Sequence, residues 1–330
     1  MKLCVLILIS VFISTVTVLA QNNNKKIILV IESYHAGYAW DKSYKQGLRE
    51  VLGDKFDLEF FEMDTKRIPN SEFKNRARLA LDEYRKINPD LVILADDNAL
   101  QYVGPGLAGT KTPVVYLGIN NNPRKYKIVG HKNITGVLER PLLVSSISTI
   151  KKIIPELKKI LILFDSGITS KASLSEIFRN KTSLRFSSDV QADMKMIGDL
   201  KIWKKTILSA KQNGYDAVIV GLYHTISENG KHVKASDIIE WTSENTPVPP
   251  FGFWEFSVGP DKTIGGFVLS GKEQGIAAAK IVLEIMSGKS PHSIYPVTGK
   301  KGALLFSTTQ LKKWYLSLSE DIAGKTDYTK

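Results

Sequence analysis

The sequence predicts an α/β protein: two Rossmann-like lobes with parallel sheets and a hinged cleft between them. Three observations lead there. Short apolar runs alternate with stretches of helical periodicity. The alternation stops in a polar, Asn-rich stretch from Gly118 to Gly136 and then begins again, giving two series of similar length. With 330 residues, 43% hydrophobic and 24% charged, the chain has the composition of an ordinary globular protein with one large or two medium domains.

In chain order, Ile27–Ile31 is a five-residue apolar run and reads as a buried strand. Asp41 is placed to cap a helix carrying Tyr44, Leu48, Val51 and Leu52 on one face. Leu58–Met63 is the next strand. Ser71 is placed to cap a helix with Phe73, Ala77, Ala80, Leu81 and Tyr84 at helical spacing, stopped by Asn88-Pro89. Strands at Leu91–Ala95 and Pro113–Leu117 flank a short helix at Asn98–Val103.

The second series opens with a strand at Ile160–Phe164 and a helix around Lys171–Arg179. A weaker strand near Leu184–Ser187 follows, then a helix from Asp199 to Asn213 with Gly214 at the C-terminal cap position. Next come strand Ala217–Val220, helix Ala235–Glu244 and strand Phe251–Trp254. Helix Gln274–Met286 is closed by Gly288, and strand Ala303–Phe306 precedes a short helix from Thr308.

The N-terminus has the grammar of a secretory signal: Lys2, an apolar run from Leu3 to Ile13, and small residues around Ala20 before Gln21-Asn22-Asn23-Asn24. Residues 1–20 are therefore expected to be removed on export, taking the single cysteine, Cys4, with them. That cysteine count excludes a disulfide framework and a Cys-based zinc site. The formal charge is +12, but its lysines lie in dispersed pairs such as Lys25-Lys26 and Lys204-Lys205. They read as solvated faces, and no nucleic-acid partner is expected.

Familiar catalytic and cofactor motifs fail on context. Gly104–Gly109 fits G-x-G-x-x-G but follows a helix and lacks the downstream acid, so it reads as a loop. Gly266–Lys272 resembles a phosphate loop, but Glu273 stands where magnesium needs a hydroxyl. The five histidines form no helical zinc pair with a glutamate, and no Gly-x-Ser-x-Gly elbow occurs. The sequence therefore predicts no enzyme activity, no metal and no cofactor. Asn133 and Asn180 begin N-x-T sequences, which matter only where exported proteins are glycosylated.

Strand ends carry the binding chemistry of open parallel sheets. After the first strand comes Glu32-Ser33-Tyr34-His35-Ala36-Gly37-Tyr38-Ala39-Trp40-Asp41, where Ser33, His35, Tyr38 and Trp40 are candidate contacts. After the third stands Asp96-Asp97-Asn98. Asp97 suits a helix cap, leaving Asp96 to meet a ligand ammonium group. Asn120 and Asn121 follow the fourth strand, offering amides to a ligand or serving as turn residues. The second series adds Asp165, Tyr223, His224, Trp254 and Glu255. Together they fit a small-molecule cleft with apolar walls and few polar anchors. Tyr38, Trp40 and Trp254 are the expected walls; His35, Asp96, Asn120, His224 and Glu255 are the expected anchors.

The segments Ser33–Trp40, Asn133–Val137, Pro250–Trp254 and Gly275–Gly288 run in the order seen in substrate-binding proteins of bacterial ABC transporters. The sequence resembles the subgroup that includes tryptophan- and phenylalanine-binding members. Its opening motif also resembles extracytoplasmic sensor domains of bacterial histidine kinases. The resemblance implies a type 1 periplasmic-binding-protein architecture. Residues 21–138 plus 270–296 would form one lobe, 139–269 plus 297–320 the other, and 321–330 a tail.

It further implies a periplasmic or otherwise extracytoplasmic monomer that closes on a small amino-acid-like, aromatic or polar solute. The partner would be the membrane permease of an ABC transporter or, as the alternative, a separate membrane sensor kinase. No membrane span or kinase segment is expected after the binding fold, so the bound solute would be handed to another protein. The aromatic-rich first loop and Trp254-Glu255-Phe256 depart from the amino-acid binders, which leaves the ligand open.

Overall fold

The computed structural model describes residues 25–140, 142–186, 189–299 and 302–329, so the expected signal segment lies outside the described residues. The first lobe begins with β1 (Ile27–Glu32), α1 (Ala39–Leu52), β2 (Asp57–Glu62) and α2 (Phe73–Ile87). It continues through β3 (Leu91–Ala95), α3 (Asp96–Tyr102), α4 (Gly104–Leu107), β4 (Val114–Ile119) and β5 (Ile134–Leu138). These strands form one parallel sheet in the order β5-β4-β3-β1-β2. Ile28 and Val30 face one core while Leu29 and Ile31 face the other. Both faces are covered, which is why the strand needs an unbroken apolar run.

The second lobe contains α5 (Leu143–Ile153), β6 (Lys159–Phe164), α6 (Ile168–Glu176), β7 (Ser183–Arg185), β8 (Gln191–Met196), α7 (Leu200–Leu208) and β9 (Ala217–Val220). A small hairpin of β10 (Ser227–Glu228) and β11 (Lys231–His232) precedes α8 (Ala235–Asn245) and β12 (Pro250–Gly252). Its main sheet runs β12-β9-β6-β8-β7, parallel except for the antiparallel edge strand β7.

After β13 (Gly265–Leu269) the chain returns to the first lobe. Helix α9 (Gly271–Met286) lies along α1, and β14 (Val297–Thr298) pairs with β5 as the sixth strand of the first sheet. The α1–α9 contact is close enough that a Cβ on Gly275 would collide with the backbone of Tyr44. The chain then completes a three-stranded sheet, β13-β15-β16, with β15 (Gly302–Ser307), α10 (Thr308–Lys313), α11 (Glu320–Ala323) and β16 (Thr326–Thr329). The segment expected as a tail thus contains a strand paired to β15.

Three expected helix caps, at Asp41, Ser71 and Gly214, are corrected. Helix α7 ends at Leu208 with Ser209 at its C-cap, so Gly214 lies beyond it. Asp41 sits inside the first turn of α1, fully buried, with no hydrogen bond to either carboxylate oxygen. Ser71 lies within a short 3₁₀ turn, Asn70–Glu72, that leads into α2. Asn88 does end α2, in the left-handed conformation that asparagine tolerates. The Gly104–Gly109 stretch, expected as a loop, starts with the helical turn α4. Among the described residues no helix is long and apolar enough to cross a membrane.

Candidate functional site

The carboxyl ends of β1, β3, β4 and β5 face those of β6, β9 and β12 across the interlobe gap. Three neighbouring spaces lie there. The central one, about 10 Å³, has room for about one water. It is bounded by Trp40, Asp96, Asn120 and Glu139 from the first-lobe side and by Thr169, Trp254 and Phe256 from the second. A cavity of about 240 Å³ on one side includes Asn98 and Asp165, and one of about 400 Å³ on the other includes His35 and His224. Lys66, in the loop after β2, lines all three.

Two tryptophan–carboxylate pairs frame the centre. Trp40 Nε1 donates to Asp96 Oδ1 at 3.1 Å, and Trp254 Nε1 donates to Glu139 Oε1 at 2.7 Å. The second oxygen of each carboxylate, Asp96 Oδ2 and Glu139 Oε2, is buried without a partner, as is Asn120 Oδ1. Burial pushes the Asp96 carboxyl well above the usual range, with Asp41 and Glu139 adding repulsion. Burial likewise raises Glu139, to about 8, against the opposing influence of the Trp254 indole and the Asn120 side-chain amide. Acceptors left in this condition are costly unless something donates to them.

Local backbone chemistry sets Asp96 in place. Its φ of 68° lies in the left-handed region, where aspartate is tolerated better than most residues. Ser33 Oγ donates to the Ala95 carbonyl and accepts the Ala99 N–H, fixing the start of α3. Opposite, Gly118 has φ of 70°, and a Cβ there would lie 2.7 Å from Asp96 Oδ1. Glycine is required on both counts.

The remaining walls are aromatic. Tyr34 and Tyr38 meet edge-on at 5.0 Å, His224 packs edge-on to Tyr38 at 4.8 Å, and Tyr223 stacks on His224 at 4.4 Å. Trp254 and Phe256 lie nearly parallel, 6.1 Å apart. The Lys66 ammonium stands 4.6 Å from the Tyr34 ring centre and 5.6 Å from that of Tyr38. Burial, followed by the charge of Lys66, holds His224 well below the ordinary histidine range, so it is neutral.

The structure therefore brings Tyr38, Trp40, Asp96, Asn120 and Trp254 to one central space. Asn98, Asp165, His35, Tyr223 and His224 face the flanking cavities. Asp165 is already engaged, accepting from Gly167 N, Ser170 Oγ and Thr225 N.

Four predicted residues line none of these spaces. Ser33 holds α3, as described. Asp97 lies within α3 rather than capping it, and accepts the N–H groups of Asn120 and Asn121 and the Tyr126 hydroxyl. Asn121 Oδ1 accepts from Asn122 N in a turn. Glu255, expected as an anchor, accepts the Gly271 N–H at the start of α9.

Of the residues lining the central space, sequence reasoning missed Tyr34, Lys66, Glu139, Thr169, Leu222 and Phe256. Glu139 follows β5, which lies at the end of the polar stretch and was not recognisable as a strand from its few apolar residues. Lys66 follows a recognisable strand, four residues past its end, but nothing in its neighbourhood separates it from an ordinary surface lysine. Among the described residues no group of three or more His, Cys, Asp or Glu is arranged to hold a metal ion.

Two α/β lobes joined by crossing segments, with a gap lined by strand ends, define a two-lobed binding protein. The chain matches the family described as ABC transporter substrate binding protein over residues 46–330, and it belongs to that family. Its fold is similar to a conserved domain protein from Vibrio cholerae (TM-score 0.67, 17% identity, 93% of this chain and 100% of that one). It is also similar to an ABC domain from Streptococcus pneumoniae in complex with L-Trp (TM-score 0.66, 14% identity, 92% and 100% covered). A third similar structure is a substrate-binding protein with adhesive properties from Clostridium difficile in its ligand-free, open form (TM-score 0.66, 13% identity, 92% and 99% covered). No curated protein matches the sequence. The two-lobed type 1 periplasmic-binding architecture expected from the sequence is thus the one the chain adopts.

Proposed function

We propose that this protein is exported, captures a small solute between its lobes outside the cytoplasm, and delivers it unaltered to the permease of an ABC transporter. The observation that carries this reading is the narrow central space between the lobes, with three unpartnered buried acceptors on one side and stacked aromatics on the other. Such a space gains most from a ligand that brings hydrogen-bond donors and apolar surface together. Tyr38, Trp40, Asp96, Asn120 and Trp254, joined by Glu139, form the proposed contact set, with Lys66 beside them.

Family membership supports the transport role, and the segments that cross between the lobes supply the hinge on which capture would depend.

The test uses the two tryptophans that line the space. Intrinsic fluorescence of the purified protein is titrated with a library of amino acids, amines, small carboxylates, sugars and nucleosides. One class is expected to give a saturable change, with affinity reduced about tenfold or more in Trp254→Ala. A library that produces no saturable change would overturn the solute-binding reading.

A further inference from the structure

We infer that the solute is a small organic cation bearing a primary or N-methylated ammonium group, and that the Lys66 ammonium occupies part of its seat in the empty protein. This rests on the solute-binding reading above. It begins from charge. Asp96 is 3% exposed, Glu139 1% and Asn120 3%, yet each has an oxygen with no hydrogen-bond partner. With both carboxyls ionised all three oxygens are acceptors, so the group that complements that state is a donor.

Nearby cations are occupied elsewhere. The Arg140 guanidinium donates to the carbonyls of Ile119, Asn120 and Glu139, and Lys45 is paired with Glu32. Among the described residues neither Asp96 nor Glu139 has an ion-pair partner. A neutral polyol would satisfy the oxygens alone, whereas an ammonium group would also favour the ionised form of both carboxyls, which burial disfavours in the empty protein.

The aromatic walls point the same way. Lys66 Nζ stands over the faces of Tyr34 and Tyr38 at cation–π distances. A charged amine on this protein has therefore already found the rings, close enough to Asp96 to act on its charge but without an ion pair to it among the described residues. Because Lys66 lines all three spaces, its withdrawal would join the central void to the cavities of about 240 and 400 Å³. The room a solute needs is where the lysine chain now lies. A soluble amine that displaced it could take the ring contacts and the two carboxylates together.

Thermal unfolding of the whole protein is followed with methylammonium, tetramethylammonium and 1,4-diaminobutane as the cation arm, each against NaCl at matched ionic strength. D-glucose is the neutral arm and L-tryptophan the zwitterionic arm. A saturable rise in midpoint is expected with at least one amine and not with glucose.

Asp96→Asn and Glu139→Gln, which keep shape and remove charge, are each expected to weaken that amine about tenfold or more. Near-ultraviolet circular dichroism confirms that each variant retains its packing. Lys66→Met is expected to tighten the same amine several-fold, because the competing ammonium is gone. Weakening by Lys66→Met would overturn the stand-in role.

If glucose or L-tryptophan stabilises the protein and no amine does, the cation inference falls and solute binding stands. No shift from any amine overturns the inference in every case, while the fluorescence library decides solute binding independently.

Discussion

Three buried carboxylates stand at the carboxyl ends of strands in the same parallel sheet, and they are treated in opposite ways. Glu32, ending β1, accepts from Lys45 Nζ and from the Tyr44 hydroxyl, both on α1. The Lys45–Glu32 ion pair is 2.8 Å long and almost wholly shielded from solvent. Asp96, after β3, and Glu139, after β5, each have one tryptophan N–H and one oxygen left over. Burial raises the pKa of all three, so desolvation does not separate them. Partnership does. The matched carboxylate ties a helix to a strand, and the unmatched pair faces the gap between the lobes.

The largest effect tests the matched member. Lys45→Met should destabilise the protein by about 3–5 kcal/mol, because it strands the Glu32 charge in the interior. The double variant Lys45→Met/Glu32→Gln should recover most of that loss, since no unpaired charge remains. Urea unfolding of the three proteins measures both. A single variant as stable as the parent would mean that Glu32 is no better partnered than Asp96, and the distinction would collapse.

A smaller effect tests the unmatched pair. The Glu139 carboxyl is raised to about 8 in the fold against an ordinary value of 4.5. Between those values the folded protein holds a proton that the unfolded chain has released. Its contribution is therefore fully present below pH 4.5 and is lost as pH rises through 8. Stability should decline across this window, and Glu139→Gln should flatten the decline. Melting midpoints at pH 5 and pH 9 provide the comparison. An unchanged pH slope in the variant would show that Glu139 keeps a matched charge.

Much of this contrast could be read from residue order, and part of it could not. Ile27–Ile31, Leu91–Ala95 and Ile160–Phe164 are visible as strands because both their faces are covered, which forces continuous apolar runs. β8 escapes the same reading because Gln191–Met196 lies next to the edge strand and alternates polar, partly exposed residues with buried ones. β13 contains Gly266, which with Gly271 and Lys272 imitates a phosphate loop, although Gly266 lies within a strand and Gly271 opens α9.

At the site, Trp40, Asp96, Asn120 and Trp254 follow recognisable strands and were accessible to a strand-end rule. Whether a carboxylate is matched is a different kind of fact. Glu32 meets Lys45 through one turn of α1 packing on β1. Glu139 meets Trp254 across 115 positions of sequence. Glu255 shows the reverse error, since an acidic strand-end residue proves to hold the N-terminus of a helix from the other lobe.

The smallest expected effect lies at the rim, where charge is matched but exposed. Lys125, in the 3₁₀ turn Pro123–Tyr126 of the first lobe, reaches Glu176 of α6 across the gap at 3.5 Å. Its side chain is 51% exposed and that of Glu176 24%. Water and salt screen such a pair, and ordering two long side chains offsets much of the attraction. Lys125→Ala should therefore change the unfolding free energy by less than about 1 kcal/mol, an effect that fades as salt is raised. Urea titrations at low and high ionic strength check both statements. A loss comparable to that of Lys45→Met would mean that the gap excludes water to its rim. Shielding would then fail to distinguish the two ion pairs, and burial at the centre would no longer single out Asp96 and Glu139 as the carboxylates that wait for a ligand.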